Sequence, residues 1–187
     1  MRKLKLQMQM TLDGFVAGPE GQLDWMTWQM DPQLMTFIND LTDTSDTILL
    51  GRGMSSGFIQ YWNGLLSKPA SPEYAFARKM MDREKVVFSK TVAHLEGPNV
   101  RVEQGDLTAS VSALKRQAGK DIIVYGGAKF VAALIERELI DELNFFVNPT
   151  AIGAGLRVFK DRVPLSLVGS TAYPCGIIVS TYRRREA

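Results

Sequence analysis

A strand, a glycine pair, a helix and a second strand follow one another without a gap between residues 121 and 147, and this unit limits what the chain can become. Ile122, Ile123, Val124 and Tyr125 make a continuous run suited to a strand covered on both faces. Gly126 and Gly127 break it. Phe130, Val131, Leu134 and Ile135 then fall on one face of a helix, which Arg137 and Glu138 close with charge. Leu143, Phe145 and Val147 alternate as a following strand does. Glycine adopts dihedrals that other residues avoid and lets a ligand approach the backbone. The helix behind it offers free N–H groups and a positive dipole end. A phosphate fits such a junction, but so does a plain tight turn, and the glycine pair alone does not choose between them.

Composition narrows the functional classes. With 187 residues the chain is long enough for a full core, and we expect one domain over residues 1–187. A net charge of +2 gives no reason to expect nucleic acid or an anionic membrane as partner. The single cysteine, Cys175, excludes an intrachain disulfide framework, and the single histidine, His94, excludes a His-rich metal site. No metal is expected. No apolar run approaches the roughly 20 residues of a membrane span. The N-terminus alternates as a strand does and does not read as a signal peptide, so a cytoplasmic protein is expected.

Strands and helices alternate along most of the chain. Leu4, Leu6, Met8 and Met10 alternate with polar residues, predicting a first strand with one apolar face. The turn signals of residues 11–21 enclose Phe15, Val16 and Ala17, an apolar stretch that must cover either core or a flat ligand. Trp25 and Trp28 form a hydrophobic lid on the core or a substrate wall. Asp31 and Pro32 predict a helix start, Asp as cap and Pro in the first turn. Residues 48–50 and 85–88 read as short buried strands, and Val100 and Val102 as a weak one. Gly51, Arg52 and Gly53 read as a loop opening towards a weak helix. Ser71 before Pro72 predicts a second helix cap. Leu107 and Thr108 begin a helix with Val111 and Leu114 inward. The tail reads as a hairpin of two edge strands turning around Tyr173 and Pro174.

This order predicts an α/β fold with a mainly parallel sheet and an antiparallel C-terminal hairpin. Ligands of such sheets bind beyond the carboxyl ends of the strands. Three polar or glycine-rich segments fall there: Gly51-Arg52-Gly53, Ser89-Lys90-Thr91 and Gly126-Gly127-Ala128-Lys129. Each carries a cation, and together Arg52, Lys90 and Lys129 suit a ligand with several phosphates. Three unrelated surface turns would give the same pattern.

At this point the sequence resembles the dihydrofolate reductase fold, most closely the reductase domain of bacterial riboflavin biosynthesis (the RibD C-terminal domain) and its stand-alone relatives. The resemblance rests on residues 10–18, Leu50-Gly51-Arg52, residues 87–91, residues 124–128, Ile140-Asp141-Glu142-Leu143, and Pro149 through Gly153-Ala154-Gly155 to Phe159. It spans nearly the whole chain. It implies a dihydrofolate reductase-like three-layer sandwich and NADPH as cofactor. Gly51-Arg52 would grip the cofactor's phosphates, with Ser55 or Ser56 supplying a hydroxyl. Ser89, Lys90 and Thr91 would hold the adenosine ribose and its 2′-phosphate. Gly126 and Gly127, often joined by a cis peptide in the family, would face the pyrophosphate, flanked by Tyr125, Ala128 and Lys129. The Gln9 backbone, Val16 and Ala17 would line the nicotinamide, and Asp13, Trp25 and Trp28 the substrate.

Two departures shape the expected function. After Gly51-Arg52 the family's usual Thr is replaced by Gly53-Met54-Ser55. The acidic residue that folate reductases carry early in the first helix has no counterpart, since Gln33 and Leu34 stand there and Asp31 reads as a cap. Folate reduction is therefore not expected. The expected activity is NADPH-dependent hydride transfer to a small pyrimidine-like, pterin-like or carbonyl substrate, by a homodimer, with no catalytic residue assigned. A non-catalytic nucleotide-binding or interaction protein that keeps the fold is the alternative.

Overall fold

The computed structural model describes residues 1–27 and 31–185. In chain order the elements are β1 (Leu4–Thr11), α1 (Pro32–Asp43), β2 (Ser45–Gly51), α2 (Arg52–Leu65), α3 (Tyr74–Asp82), β3 (Glu84–Phe88), β4 (Val100–Glu103), α4 (Leu107–Arg116), β5 (Asp121–Val124), α5 (Ala128–Glu136), β6 (Glu142–Asn148), β7 (Leu165–Ala172) and β8 (Ile178–Arg184). Among the described residues the eight strands form one sheet, ordered β4-β3-β2-β5-β1-β6-β8-β7. Pairing is parallel from β4 to β6 and antiparallel at β6–β8 and β8–β7. The predicted parallel sheet with its C-terminal hairpin is the observed one.

Side-chain alternation builds the two cores. Leu4, Leu6, Met8, Leu49, Val86, Ile122 and Val124 point to the side of α4 and α5, where they meet Val111, Leu114, Val131 and Leu134. Ile48, Leu50, Val87 and Ile123 point the other way and pack with Leu41 of α1 and Met80 and Met81 of α3. Asp31 caps α1 as predicted: its Oδ1 accepts from the N–H groups of Gln33 and Leu34 at 2.9 and 3.0 Å.

Three expectations need correction, whereas β1 has the one apolar face predicted, formed by Leu4, Leu6 and Met8. Its Lys5 is buried and reaches Asp121 and Thr44, both at 2.9 Å. β8 is not an edge strand, because β6 claims its second side; of the hairpin's two strands β7 alone lies at an edge. Gly51 and Arg52 are no loop: Gly51 ends β2 and caps α2, and Arg52 is the first helical residue. Ser71 does not cap α3, which starts after Glu73 without a side-chain cap; the Ser71 hydroxyl accepts instead from the Glu73 N–H at 3.3 Å.

Strand lengths make the feature that matters for function. β1 pairs with β5 only as far as Leu6 opposite Val124, yet with β6 it continues to Thr11 opposite Asn148. On its other side β5 pairs with β2 only as far as Leu49, two residues before Gly51. β5 therefore stops short of both neighbours, and the chain turns away at Gly127, whose φ of +84° favours glycine. A notch is left in the carboxyl edge of the sheet, beside the last residues of β1.

Candidate active site

Two helices start at this notch. α2 begins at the end of β2 and α5 just after the end of β5, and neither has a side-chain cap on its N-terminal N–H groups. They lie close together. A Cβ on Gly51 would come within 2.6 Å of the Phe130 Cβ, so α5 needs a glycine there to approach β2. A Cβ on Gly126 or Gly127 would lie 3.5 or 3.6 Å from the Met54 sulfur of α2. Two uncapped helix N-termini beside a glycine turn leave N–H groups that can receive an anion. The peptide between Gly126 and Gly127 is trans, unlike the cis bond common in the family.

The expected cofactor residues divide into those on display and those already engaged. Arg52 and Lys129 are exposed in the first turns of the two helices. Ser55 is fully buried and its hydroxyl donates back to the Arg52 carbonyl at 3.0 Å, whereas Ser56 is exposed. Ser89 is buried at the end of β3, where its Oγ accepts from the Thr91 and Val92 N–H groups and fixes the turn. Thr91 is exposed. The Lys90 ammonium donates to the Gln104 and Gly105 carbonyls at 2.7 and 2.8 Å, which ties this turn to the end of β4. Tyr125 turns its ring away from the glycines, stacked on Phe58 with 5.9 Å between centroids and hydrogen-bonded to Thr42 at 3.0 Å. Burial pushes its phenol up to about 12. Only its backbone, with Ala128, borders the notch.

The other wall comes from loops after β1 and β6. Phe15, Val16 and Ala17 are buried; Arg157 lies 4.3 Å over the Phe15 ring and Ala17 pairs with Leu156. Their apolar character is thus used first on the core. Asp13 is a staple between loops: it accepts from the Thr11 hydroxyl at 2.6 Å and from the Ile152 and Gly153 N–H groups at 3.1 and 2.7 Å. The Thr11 hydroxyl bond is the main reason its carboxyl titrates below the usual value. Asp13→Ala should therefore speed amide hydrogen exchange at Ile152 and Gly153 while leaving the β-sheet amides unchanged. Trp25 is buried and its indole N–H donates to the Gln22 carbonyl at 3.2 Å. Trp28 lies outside the described residues.

Sequence reasoning missed Asn148. It is fully buried at the end of β6, accepts from the Thr27 N–H at 2.8 Å and donates to the Gln9 Oε1 at 2.8 Å. The Asn-Pro pair reads as a turn signal, so nothing in the sequence marks Asn148 as a buried connector. Asp31 spends both carboxylate oxygens on backbone N–H groups, the second on Cys175 at 3.4 Å. His94 is exposed, with Glu96 at 3.6 Å, and lines a separate cavity of about 590 Å³ between α2 and residues 94–97. Among the described residues no group of His, Cys, Asp and Glu could hold a metal. None of their helices is long and apolar enough to cross a membrane.

This arrangement can be compared with known proteins. The model of the RibD C-terminal domain matches residues 2–179. The chain belongs to the RibD C-terminal domain family. YyaP of Bacillus subtilis (strain 168), an uncharacterized protein, is 29% identical over 186 residues, which cover 97% of this chain and 94% of YyaP. Among solved structures, the diaminohydroxyphosphoribosylaminopyrimidine deaminase/5-amino-6-(5-phosphoribosylamino)uracil reductase of Thermotoga maritima superposes with a TM-score of 0.69 at 17% identity. That match covers 98% of this chain and 57% of the Thermotoga protein. Dihydrofolate reductase of Enterococcus faecalis, solved with NADP(H), gives a TM-score of 0.62 at 16% identity and covers 98% of this chain and 97% of the enzyme. The fold is dihydrofolate reductase-like, and family and fold are both those of reductases.

Proposed function

We propose that this protein is an NADPH-dependent reductase of a small pyrimidine-like, pterin-like or carbonyl compound, a single-domain cytoplasmic enzyme acting as a homodimer. One observation carries the reading: two uncapped helix N-termini stand beside Gly126 and Gly127, where β5 stops short of its neighbours. This arrangement suits a pyrophosphate, and the solved Enterococcus relative with NADP(H) supports that choice. When bound, the nicotinamide supplies the hydride. The chain's part is to hold and orient. The N–H groups at the starts of α2 and α5, with Arg52 and Lys129 beside them, bind the phosphates. The carboxyl ends of β1 and β6 face the reacting end. Val16 and Ala17, kept in place by the Asp13 staple and the pairing with Leu156, close that end against water.

Titration of NADPH into the purified protein tests this. Saturable binding below 1 mM is expected, and none at that concentration overturns the reading. Lys90 gives the sharper test of cofactor choice. Its ammonium stands beside the exposed Thr91 at the end of β3, already held by two carbonyls. Lys90→Ala should weaken NADPH by about 1–2 kcal/mol, the low range for a charge-assisted bond on an exposed site. NADH should be hardly affected. Equal losses for both cofactors place Lys90 away from the 2′-phosphate.

A non-catalytic nucleotide-binding protein is the second reading. It is favoured by the engagement of Asp13 and Asp31, whose carboxylates are both tied to backbone amides. NADPH that binds but is never oxidised across a panel of pterins, pyrimidinones and quinones selects it.

A further inference from the structure

The C-terminal hairpin is exposed without the residues that suit exposure. Every residue of β7 from Ser166 to Ala172 is open to solvent. Side chains alternate along a strand, so both faces of the sheet are uncovered at this edge. Among the described residues no strand pairs with the outer side of β7. Yet from Val163 to Tyr182 the chain carries no Asp, Glu, Lys or Arg, although charged residues make up 22% of the sequence. Leu167, Val168 and Ile178 stand 59%, 51% and 42% exposed. Proteins guard a free edge with lysine, proline or a bulge, because its unpaired N–H and C=O groups take up another strand. β7 holds neither lysine nor proline. Its one guard is a bulge at Val168, where the register with β8 shifts between Leu167 and Gly169. Beyond the bulge, Gly169 to Ala172 pair regularly with β8 and leave a regular, neutral stretch of edge.

We infer that β7 is the surface on which two copies of this chain join, pairing antiparallel about a twofold axis that crosses the stretch from Gly169 to Ala172. Charge decides both occupant and direction. Arg183 and Arg184 lie opposite Ser166 and Leu165, and Lys160, Asp161 and Arg162 precede β7, so the charges gather at one end of the hairpin. The turn at the other end, from Tyr173 to Ile177, has none. Antiparallel pairing sets each charged end beside the uncharged turn of the other copy, whereas parallel pairing would bring the arginines together. A twofold contact needs a self-complementary surface, and a neutral edge meets its own copy without like-charge contact. A charged partner strand would find no counter-ion along this stretch. Four paired residues give about four ladder hydrogen bonds, short of the roughly ten of a typical interface. Leu167, Val168 and Ile178 must therefore be buried in the same contact. The inference rests on the homodimer reading, for which it names the surface, and is independent of the cofactor reading.

The test is sedimentation velocity on the full-length protein from roughly 1 to 100 μM, a range that brackets a micromolar Kd. The parent should sediment as a dimer in the upper part of this range, and amide exchange at residues 169–172 should slow as it associates. Thr171→Lys puts a cation on the neutral stretch, close to its own copy across the axis, and should weaken dimerisation at least tenfold. Leu167→Lys should do the same by removing apolar contact. Both positions are exposed, so circular dichroism should show the parent fold in each variant. Mixing Thr171→Lys with Thr171→Glu should restore the dimer, because opposite charges then face each other; a damaged hairpin would not be rescued by mixing. Lysine variants that dimerise as tightly as the parent, or a mixture that associates no better than its components, overturn the inference while the homodimer reading stands. A parent that stays monomeric at roughly 100 μM overturns both and leaves β7 to a partner other than its own copy.

Discussion

Gly127→Val should abolish NADPH binding and cost about 1–3 kcal/mol of stability. Gly127 has φ +84° and ψ 92° and sits at the N-cap of α5. A β-branched residue held at positive φ is strained by roughly 1–3 kcal/mol. Steric room inside the protein is not the obstacle, since the added Cβ would meet the Met54 sulfur and the Phe130 Cβ at 3.6 Å, an ordinary contact. The turn must relax, and in relaxing it moves the first N–H groups of α5 away from those of α2. A ligand held by both helices is then lost even in the fraction that remains folded. Thermal melts with and without NADPH separate this from a purely structural turn. If the folded variant is still stabilised by NADPH as much as the parent, the glycine pair does not face the cofactor.

Lys85 carries the largest stability effect. Its side chain is fully buried, and the ammonium donates to the Met80, Met81 and Arg83 carbonyls at 3.0, 2.9 and 2.6 Å, closing the end of α3 against β3. Lys85→Ala leaves a cavity and orphans carbonyls, and should cost about 3–5 kcal/mol. The charge also makes stability depend on pH. Burial pushes the amine down to about 8, from 10.5 in an unfolded chain. Below pH 8 both states hold the proton. Between 8 and 10.5 only the unfolded state holds it, so stability gains with rising pH. The gain is about 3 kcal/mol when the shift is converted directly. Lys85→Met lacks it. The difference in unfolding free energy between parent and Lys85→Met should therefore move by about 3 kcal/mol in favour of the parent from pH 7.5 to 10.5, measured by urea denaturation. A difference independent of pH means that Lys85 is solvated as an ordinary lysine.

Much of the fold is legible because local signals and tertiary packing agree. The run from Ile122 to Val124 is buried on both faces because Ile122 and Val124 pack against α4 and α5 and Ile123 against α1 and α3, and the glycine pair starts α5 as its position implies. Asp31 and Pro32 set the start of α1, where a carboxylate can satisfy N–H groups without help from the rest of the chain. Signals failed where the deciding partner is far away in sequence. Lys5 looks like a solvent-facing strand residue until Asp121 and Thr44 are brought to it. β8 resembles an edge strand until β6 pairs with it. Ser71 before Pro72 is a local exception: it resembles a cap, yet its hydroxyl takes the Glu73 N–H and α3 starts at Tyr74.

The candidate site divides along the same line. The glycine turns, the positions of Arg52, Lys90 and Lys129 near strand ends, and the apolar stretch of Phe15, Val16 and Ala17 are legible from residue type and short spacing alone. Tertiary structure decided which of these groups are free to act. It spent the Ser55 hydroxyl on a helix carbonyl and the Asp13 carboxylate on two backbone amides, and it turned the Tyr125 ring into the core. It also made the notch, which exists only because β5 is shorter than the strands on either side of it. Strand register and the allocation of hydrogen bonds are properties of pairs of distant segments, and no single segment carries them.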